Sequence, residues 1–274
     1  MTEAPAVPAG VDPTKPSPAR VYDYLLGGTA NFPSDRLAGE KMKERAPELV
    51  DSAWANRGFH QRAAKWMAER GIRQFIDIGS GLPTVGNTHE VVQKVAPDAR
   101  VVYVDNDPMV RAYGEALLTG PGKTQFIIAD LREPDQVLNH PELRALIRFE
   151  EPAGLLMTAV VHFVTDKDDP WGLVARVVKA LATGSYLALS HMTADKKPPL
   201  AVQVISEVGA SAAGAVCLRS KAEVERFFAD MTLVSPYEGA EPAVAHVGEW
   251  GAEDVQAADT DGSRWLYCGV ARRR

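Results

Sequence analysis

Acidic and glycine residues recur where short apolar runs end, a position at which side chains can hold a ligand. Asp77, Gly79 and Gly81 lie in or directly after the apolar run 74–78. The two glycines permit a tight turn and close approach of a ligand, and a following helix would add backbone amides. A dinucleotide fingerprint would need a third glycine at Thr84. An acid within the strand end instead suits a positively charged amino group, although a tight turn without a ligand would have the same residues.

Two further acids follow the next two apolar runs. Asp105, with Asn106 beside it, is placed to accept hydrogen bonds from two ribose hydroxyls. The alternative role, a cap for the following helix, is favoured for Asp107. Asp130 could accept from an adenine amino group while Leu131 packs on the ring, or it could cap a loop. Three acids at the ends of three successive strands together predict an adenosyl pocket.

The elements that position these residues follow from the hydrophobic pattern. Short apolar runs alternate with segments of helical spacing, which is typical of βαβ units in an α/β fold with a mostly parallel sheet. Asn87 with Glu90, and Ser220 with Glu223, have the spacing of capping boxes before helices. Seven strands are predicted, at residues 74–78, 101–104, 126–129, 155–161, 186–189, 232–234 and 265–270.

The chain divides into three regions by composition. Residues 1–18 contain five prolines and almost no large apolar side chain, so we expect a disordered tail. Residues 19–70 have helical spacing throughout and are predicted to form a helical region that covers the cleft. Residues 71–274 form the α/β domain, in which 191–219 and 236–262 fall outside the alternation and are expected to shape a substrate pocket.

Composition excludes several classes of protein. The 36 acidic and 30 basic side chains give a net charge of −6, the wrong sign for binding nucleic acid through its phosphates, and favour a small-molecule partner. No apolar run is long enough to span a bilayer, and no secretion signal opens the chain. Cys217 and Cys268 form no C-x-x-C pair, and no His/Asp cluster has metal-ligand spacing. We therefore expect a cytoplasmic protein without metal; its oligomeric state is not predicted.

Three strings carry a family resemblance that covers residue 20 to the C-terminus. They are Arg20–Gly28 with Asn31, Phe32, Asp35 and Arg36, then Asp77–Pro83, and Tyr103–Pro108. The chain resembles class I S-adenosylmethionine-dependent methyltransferases, specifically a bacterial S-adenosyl methyltransferase family long catalogued as a domain of unknown function. The resemblance implies a Rossmann-like sheet of seven strands with an antiparallel last strand, helices on both faces, and S-adenosylmethionine at the carboxyl ends of the first strands. With the strand-end residues, it implies a cofactor site at Asp77, Gly79, Ser80, Gly81, Asp105, Asn106, Asp130, Leu131, Ala159, Tyr22 and Phe32.

Two histidines are candidate catalytic bases. Residues 159–166 are similar to the Leu-His-hydrophobic-x-Asp region of small-molecule O-methyltransferases, with Val161 in place of the leucine. His162 would then face the cleft and could take a proton from a substrate hydroxyl, because its unperturbed pKa of about 6.5 is close to working pH. Packing beside the cofactor, or a buried hydrogen bond, is the alternative. His191, just past the fifth strand, is the second candidate.

Aromatic residues and the reaction itself leave further alternatives open. Tyr22, Tyr24 and Phe32 could attract a sulfonium by cation–π interactions of about 0.5–2 kcal/mol, or simply pack in the core. In-line displacement from a sulfonium depends on alignment, so catalysis does not require a base. A non-catalytic regulatory protein that binds S-adenosylmethionine or S-adenosylhomocysteine is the main alternative to the enzyme. An NAD-dependent oxidoreductase is disfavoured by Thr84.

Overall fold

The helices and strands below come from a computed structural model that describes residues 7–117 and 123–274. The helices in these ranges are α1 (Pro18–Leu25), α2 (Pro33–Arg45), α3 (Leu49–Glu69), α4 (Thr88–Val95), α5 (Pro108–Leu117), α6 (Pro134–Leu138), α7 (Pro141–Leu146), α8 (Pro170–Ala180), α9 (Pro199–Ala213), α10 (Lys221–Glu225) and α11 (Val255–Ala258). The strands are β1 (Gln74–Ile78), β2 (Arg100–Asp105), β3 (Thr124–Ile128), β4 (Gly154–Thr158), β5 (Tyr186–Met192), β6 (Met231–Leu233), β7 (Ala245–His246) and β8 (Leu266–Arg273).

One sheet joins all of these strands. Its order is β3-β2-β1-β4-β5-β8-β6, with the two-residue β7 beside β8. Strands β1 to β5 pair in parallel, whereas β8 runs antiparallel to both β5 and β6. The seven predicted strands and the reversed last strand are confirmed; β7 was not predicted, because two residues carry no periodicity.

Helices cover both faces of the sheet. Strand β1 is buried at all five positions. Phe75 belongs to a core with α3, which contributes Phe59 and Met67, while Ile76 and Ile78 belong to a second core on the opposite face. Successive side chains of a strand point to opposite faces, so this division places one helical layer on each side.

Local signals explain where the helices begin. Proline occupies the first position of seven of the described helices, where its missing N–H is not needed. Both predicted capping boxes are present: Glu90 Oε2 accepts from the Asn87 amide at 2.9 Å, and Glu223 Oε2 accepts from the Ser220 amide at 2.8 Å. These bonds satisfy amides that the first helical turn leaves without a partner.

The end of the fourth strand was predicted wrongly. The apolar run continues to Val161, but β4 ends at Thr158, and residues 161–163 form a 3₁₀ turn. Ala159 has φ +53° and donates its N–H to Ser190 Oγ at 2.9 Å. The chain therefore leaves the sheet at Ala159, and Val161 is buried in a loop rather than a strand.

The terminal and inserted segments contain further structure. Residues 1–6 of the predicted disordered tail lie outside the described residues. Residues 12–17 contact the helical region, where Ser34 Oγ donates to the Pro13 carbonyl at 2.8 Å. Helix α9 forms most of the insertion 191–219, and the insertion 236–262 contains β7 and α11. Among the described helices, none combines the length and hydropathy needed to cross a membrane.

Candidate functional site

A cavity of about 500 Å³ opens at the carboxyl ends of β1, β2, β3 and β4. Its size falls in the range of small-molecule and cofactor sites. The sheet order reverses between β1 and β4, and this reversal is where open α/β sheets bind their ligands. The cavity brings together most of the predicted site residues: Tyr22, Gly79, Ser80, Gly81, Asp105, Asn106, Asp130, Leu131, Ala159 and His162.

The glycine turn after β1 forms the floor of the cavity. Gly79 (φ +70°) donates its N–H to the Val104 carbonyl at 2.8 Å, and a Cβ at this residue would lie 2.2 Å from Val160 Cγ2. Gly81 (φ +65°) also has a left-handed backbone, but a Cβ there would meet nothing within 4 Å. Gly79 is therefore required by packing and backbone, whereas Gly81 leaves open space for a ligand.

Asp105 ends β2 directly above this turn. Its Oδ2 accepts from the Gly81 amide at 2.9 Å, and its Oδ1 accepts from the Asp107 amide at 3.0 Å. Burial raises the pKa of Asp105 to about 6, against the lowering effect of these amides. The carboxylate is thus tied to the glycine turn and lines the cavity, where a ribose hydroxyl could reach it.

Asp107 caps the next helix, as the sequence favoured. Its Oδ1 accepts from the Met109 amide at 2.9 Å. Its Oδ2 accepts from Ser17 Oγ at 2.6 Å and lies 3.5 Å from Arg20 Nη1. Arg20 also pairs with the buried Asp35 at 3.0 Å. These contacts fix the start of α1 to the end of β2 beside the cavity.

Asp130 and Leu131 follow β3. The Asp130 carboxylate forms an ion pair with Arg132 at 2.6 Å and accepts from Asn106 Nδ2 at 3.2 Å. Leu131 is buried and lines the cavity beside them. An acceptor and an apolar side chain thus lie together at the β3 end, which suits an adenine ring.

Asp77 lies beneath the cavity and does not line it. Its Oδ2 accepts from Thr88 Oγ1 at 2.6 Å, and burial raises the pKa of this carboxyl to about 6. His60 lies 3.7 Å from the same oxygen and hydrogen-bonds Thr88 and Thr158 through its two ring nitrogens. Burial lowers the pKa of His60 to about 3, so the ring is neutral.

Helix α3 contributes residues that the sequence analysis missed. Ser52, Asn56, Arg57 and His60 line the cavity from α3, whose other buried residues, such as Phe59 and Ala63, are apolar. Polar residues interrupting an apolar helical stripe are the signal that would have identified them. Asn56 Nδ2 also donates to the Tyr22 hydroxyl at 3.0 Å.

The structure places the two candidate bases differently. His162 is buried and lines the cavity, and its Nδ1 is 3.5 Å from the Met192 amide. His191 lies within β5, away from the cavity lining, with Nδ1 2.8 Å from the Met192 carbonyl and Nε2 2.7 Å from Arg219 Nη1. Arginine can only donate, so Nε2 of His191 accepts and its proton is on Nδ1. Both ring nitrogens of His191 are therefore engaged.

Burial keeps both histidines neutral. It lowers the pKa of His162 well below the ordinary value, and the neighbouring His191 and Arg219 act in the same direction. It lowers the pKa of His191 to about 3. Arg219 is itself buried and pairs with Asp166 at 2.6 Å. A fixed cation next to two buried imidazoles disfavours a second positive charge.

The three candidate aromatic residues have different surroundings. Tyr22 lines the cavity, and its hydroxyl donates to the Ala53 carbonyl at 2.9 Å. Phe32 is buried in the core beneath the Arg20 guanidinium, 5.3 Å from its ring centroid, and does not line the cavity. Tyr24 packs at Gly39 and hydrogen-bonds Glu40.

The side of the cavity near β4 and β5 is mostly apolar, with Ser52, Asn56, Thr158 and His162 as its polar lining residues. Helices α1, α2, α3 and α9 enclose it, together with the loop after β4 and the start of β8. The insertion 236–262 contributes none of the lining. The apolar lining residues here are Val21, Leu25, Met42, Leu49, Ala53, Phe163, Val164, Met192, Ile205, Val208, Ala212, Ala213, Val216 and Leu266.

Residues of the cavity also fit the cofactor that the sequence implies. Ser80 Oγ and Arg57 Nε are buried without a hydrogen-bond partner, and Gly81 leaves room beside them. Asp105 and Asp130 supply acceptors at the ends of neighbouring strands. An adenosyl group with a polar amino-acid end would satisfy these groups. Within the described residues, no group of three or more His, Cys, Asp or Glu side chains has a metal-binding arrangement.

Comparisons with known proteins identify the family of the chain. The S-adenosyl methyltransferase family matches residues 5–274. A DUF574 family protein from Streptomyces avermitilis is 41% identical, with a TM-score of 0.87 over 95% of this chain and 98% of its own. A methyltransferase-family protein from Thermobifida fusca is 39% identical, with a TM-score of 0.86 over 97% and 98%.

More distant similarity supports the fold alone. An O-methyltransferase family protein from Burkholderia thailandensis is 12% identical, with a TM-score of 0.53 over 87% of this chain and 62% of its own. No curated protein matches the chain. The full-length family match and the two close structures decide against the NAD-dependent oxidoreductase. The chain belongs to the S-adenosyl methyltransferase family and is an S-adenosylmethionine-dependent methyltransferase.

Proposed function

We propose that this enzyme methylates a small, largely apolar acceptor that occupies the side of the cavity near β4 and β5. The division of the cavity carries the proposal. Asp105, Asp130 and Arg132 lie at the β2 and β3 ends, whereas the opposite wall is mostly apolar. Bound S-adenosylmethionine supplies a methyl group on a sulfonium, open to in-line displacement. A charged acceptor would be desolvated against the apolar wall without a counter-charge.

We propose the β2 and β3 ends as the nucleoside site. Asp105 would accept from the ribose hydroxyls, with Asn106 beside it, and Asp130 from the adenine amino group, against Leu131. Gly79, Ser80 and Gly81 would lie under the amino-acid end. Asp77, covered by Thr88 and His60, would act on the ammonium group through its charge alone, without contact. Tyr22 and Ala159 would bound the region between the two sides of the cavity.

His162 is the proposed base. It is the only one of the two candidate histidines on the cavity lining. The Met192 amide, 3.5 Å from its Nδ1, is too distant to fix which ring nitrogen carries the proton, so the neutral ring can accept a proton from a substrate. Its lowered pKa makes it a weak base, so it suits an acidic hydroxyl such as a phenol better than an aliphatic alcohol. His191 is then a positioning residue: from β5 it accepts a hydrogen bond from Arg219 and donates one to the Met192 carbonyl. Phe32 supports α1 and α2 through Arg20 rather than the cofactor.

Two measurements test the function. Calorimetric titration with S-adenosylhomocysteine should show binding at one site per chain. Formation of S-adenosylhomocysteine from S-adenosylmethionine should then be followed with a panel of neutral phenols and the matched hydroxybenzoates, which add a negative charge to the same ring, in wild type and His162→Phe. We expect wild type to turn over neutral phenols. His162→Phe should abolish this turnover while it still binds S-adenosylhomocysteine. Binding without turnover of any acceptor would favour the non-catalytic regulatory protein.

The location of the protein in the cell is also a proposal. Cys217 and Cys268 are free thiols, as expected in a reducing compartment such as the cytoplasm.

A further inference from the structure

Arg57 is the one buried arginine of the described chain whose charge is not paired. Three arginines are buried: Arg20 at 4%, Arg57 at 9% and Arg219 at 2% exposure. Arg20 pairs with Asp35 and Asp107, and Arg219 pairs with Asp166. In the described residues, Arg57 makes one side-chain hydrogen bond, from Nη2 to Asn87 Oδ1 at 3.1 Å.

The unsatisfied donors of Arg57 belong to the cavity. Its Nε is buried without a partner, and its side chain lines the cavity. A buried guanidinium that no carboxylate contacts is costly, since it loses hydration, and the Asp77 carboxylate attracts its charge only from beyond ion-pair distance. Its one acceptor is already shared, because Asn87 Oδ1 also accepts from the Thr84 amide at 2.9 Å. An anion in the cavity would complete the site.

The position of Arg57 in the fold specifies which anion this is. Asp105 ends β2 and Asp130 follows β3, so a nucleoside held there lies over one side of the sheet. Strand β3 is at the edge of the sheet, in the order β3-β2-β1-β4. The amino-acid end of a ligand whose nucleoside lies at β2 and β3 therefore extends toward β1 and β4. Helix α3 crosses there: His60, one turn from Arg57, bonds Thr158 at the end of β4 and Thr88 at the start of α4.

Neighbouring groups favour a carboxylate at this place. Ser80 Oγ, in the loop that follows β1, is also a buried hydroxyl without a partner, and Ser80 lines the same cavity. His60 is neutral and adds no competing positive charge. We propose that Arg57 binds the α-carboxylate at the amino-acid end of S-adenosylmethionine. This inference rests on the proposed function, since it requires the nucleoside to occupy the β2 and β3 ends.

A guanidinium can bind a carboxylate through two parallel N–H donors, which a lysine or an amide cannot reproduce. The test is isothermal titration with two probes that differ in the carboxylate alone: S-adenosylhomocysteine, and its decarboxylated analogue 5′-deoxy-5′-(3-aminopropylthio)adenosine. Wild type should bind the first at least tenfold more tightly. Arg57→Gln should weaken S-adenosylhomocysteine by about ten- to hundredfold and leave the analogue within about twofold, so that the two affinities converge.

Two variants keep this test sharp. Arg57→Lys retains the charge and the fold, and should lose part of the discrimination between the probes. Lys65→Gln removes an exposed charge from the same helix and should change neither affinity. The inference is overturned if Arg57→Gln or Arg57→Lys keeps the wild-type ratio, or if both probes weaken equally, which would indicate a structural role beside Asn87. If wild type binds neither probe, the proposed function fails first.

Discussion

The two glycines of the cavity floor provide a matched pair of substitutions. Gly79 and Gly81 have φ values of +70° and +65°, so an alanine at either residue incurs the left-handed backbone cost of about 1–2 kcal/mol. Only at Gly79 would the new methyl meet packed atoms, 2.2 Å from Val160 Cγ2 and 2.4 Å from Val160 Cβ. A change of the Val160 rotamer can move Cγ2 but not the Val160 Cβ, so overpacking should add about 1–3 kcal/mol to the cost of the alanine at residue 79.

We therefore expect Gly79→Ala to lower the free energy of unfolding by about 2–5 kcal/mol and Gly81→Ala by about 1–2 kcal/mol. Guanidinium titrations monitored by circular dichroism, with a common slope, measure both values. The order should reverse in calorimetry with S-adenosylhomocysteine among the molecules that remain folded. For each variant, the loss of affinity is compared with the loss of stability. This ratio should be larger for Gly81→Ala than for Gly79→Ala, because the methyl at residue 81 enters open cavity space.

A third variant isolates the steric part of the argument. In a Val160→Gly background, Gly79→Ala should cost no more than the backbone cost of about 1–2 kcal/mol, since both Val160 contacts are gone. Equal destabilisation by Gly79→Ala and Gly81→Ala in the wild-type background would refute the packing argument. So would an undiminished cost of Gly79→Ala in the Val160→Gly background.

Three further predictions concern polar residues. Asp105→Ala should weaken S-adenosylhomocysteine by about 1–3 kcal/mol in calorimetry, because it removes the proposed ribose acceptor; unchanged affinity would mean that the nucleoside lies elsewhere. Burial raises the pKa of Asp77 in the folded protein from 3.8 to about 6, so ionisation of this carboxyl lowers the free energy of unfolding as pH rises from about 4 to 6. Over that interval the stability of Asp77→Asn relative to wild type should rise by up to about 3 kcal/mol. Urea titrations that show a constant difference between the two proteins would contradict this. Tyr22→Phe removes hydroxyl contacts with Ala53 and Asn56 and should lower the free energy of unfolding by about 1 kcal/mol in thermal or urea melts, whereas a neutral effect would show that these bonds contribute nothing net.

The strand-end residues were predictable because parallel strands bring their carboxyl ends to one edge. Asp105 and Asp130 each follow an apolar run, and nothing beyond the order of strands is needed to bring them to one cavity. Asp77 shows the limit of that reasoning. It lies within β1, where its side chain shares the face of Phe75, so it points toward α3 and is covered by His60 and Thr88.

Residues whose roles depend on distant partners could not be predicted. The engagement of His191 follows from Arg219, which is 28 residues away and reaches it through the insertion after β5. Arg57 is informative only because no carboxylate pairs with it, and pairing is invisible in a single sequence. The end of β4 depends on Ala159 adopting φ +53°, supported by Ser190, whereas the apolar pattern continues through Val161.

The core shared by α3 and the sheet has a consequence for how the molecule is held together. Phe59, Ala63, Ala64 and Met67 have no exposed surface and pack in the same cluster as Phe75. A fragment beginning near Gly71 would uncover this apolar layer together with one wall of the cavity. The region before β1 is therefore part of the same folding unit as the sheet. The helices and the sheet should unfold in a single cooperative transition, and neither should fold on its own.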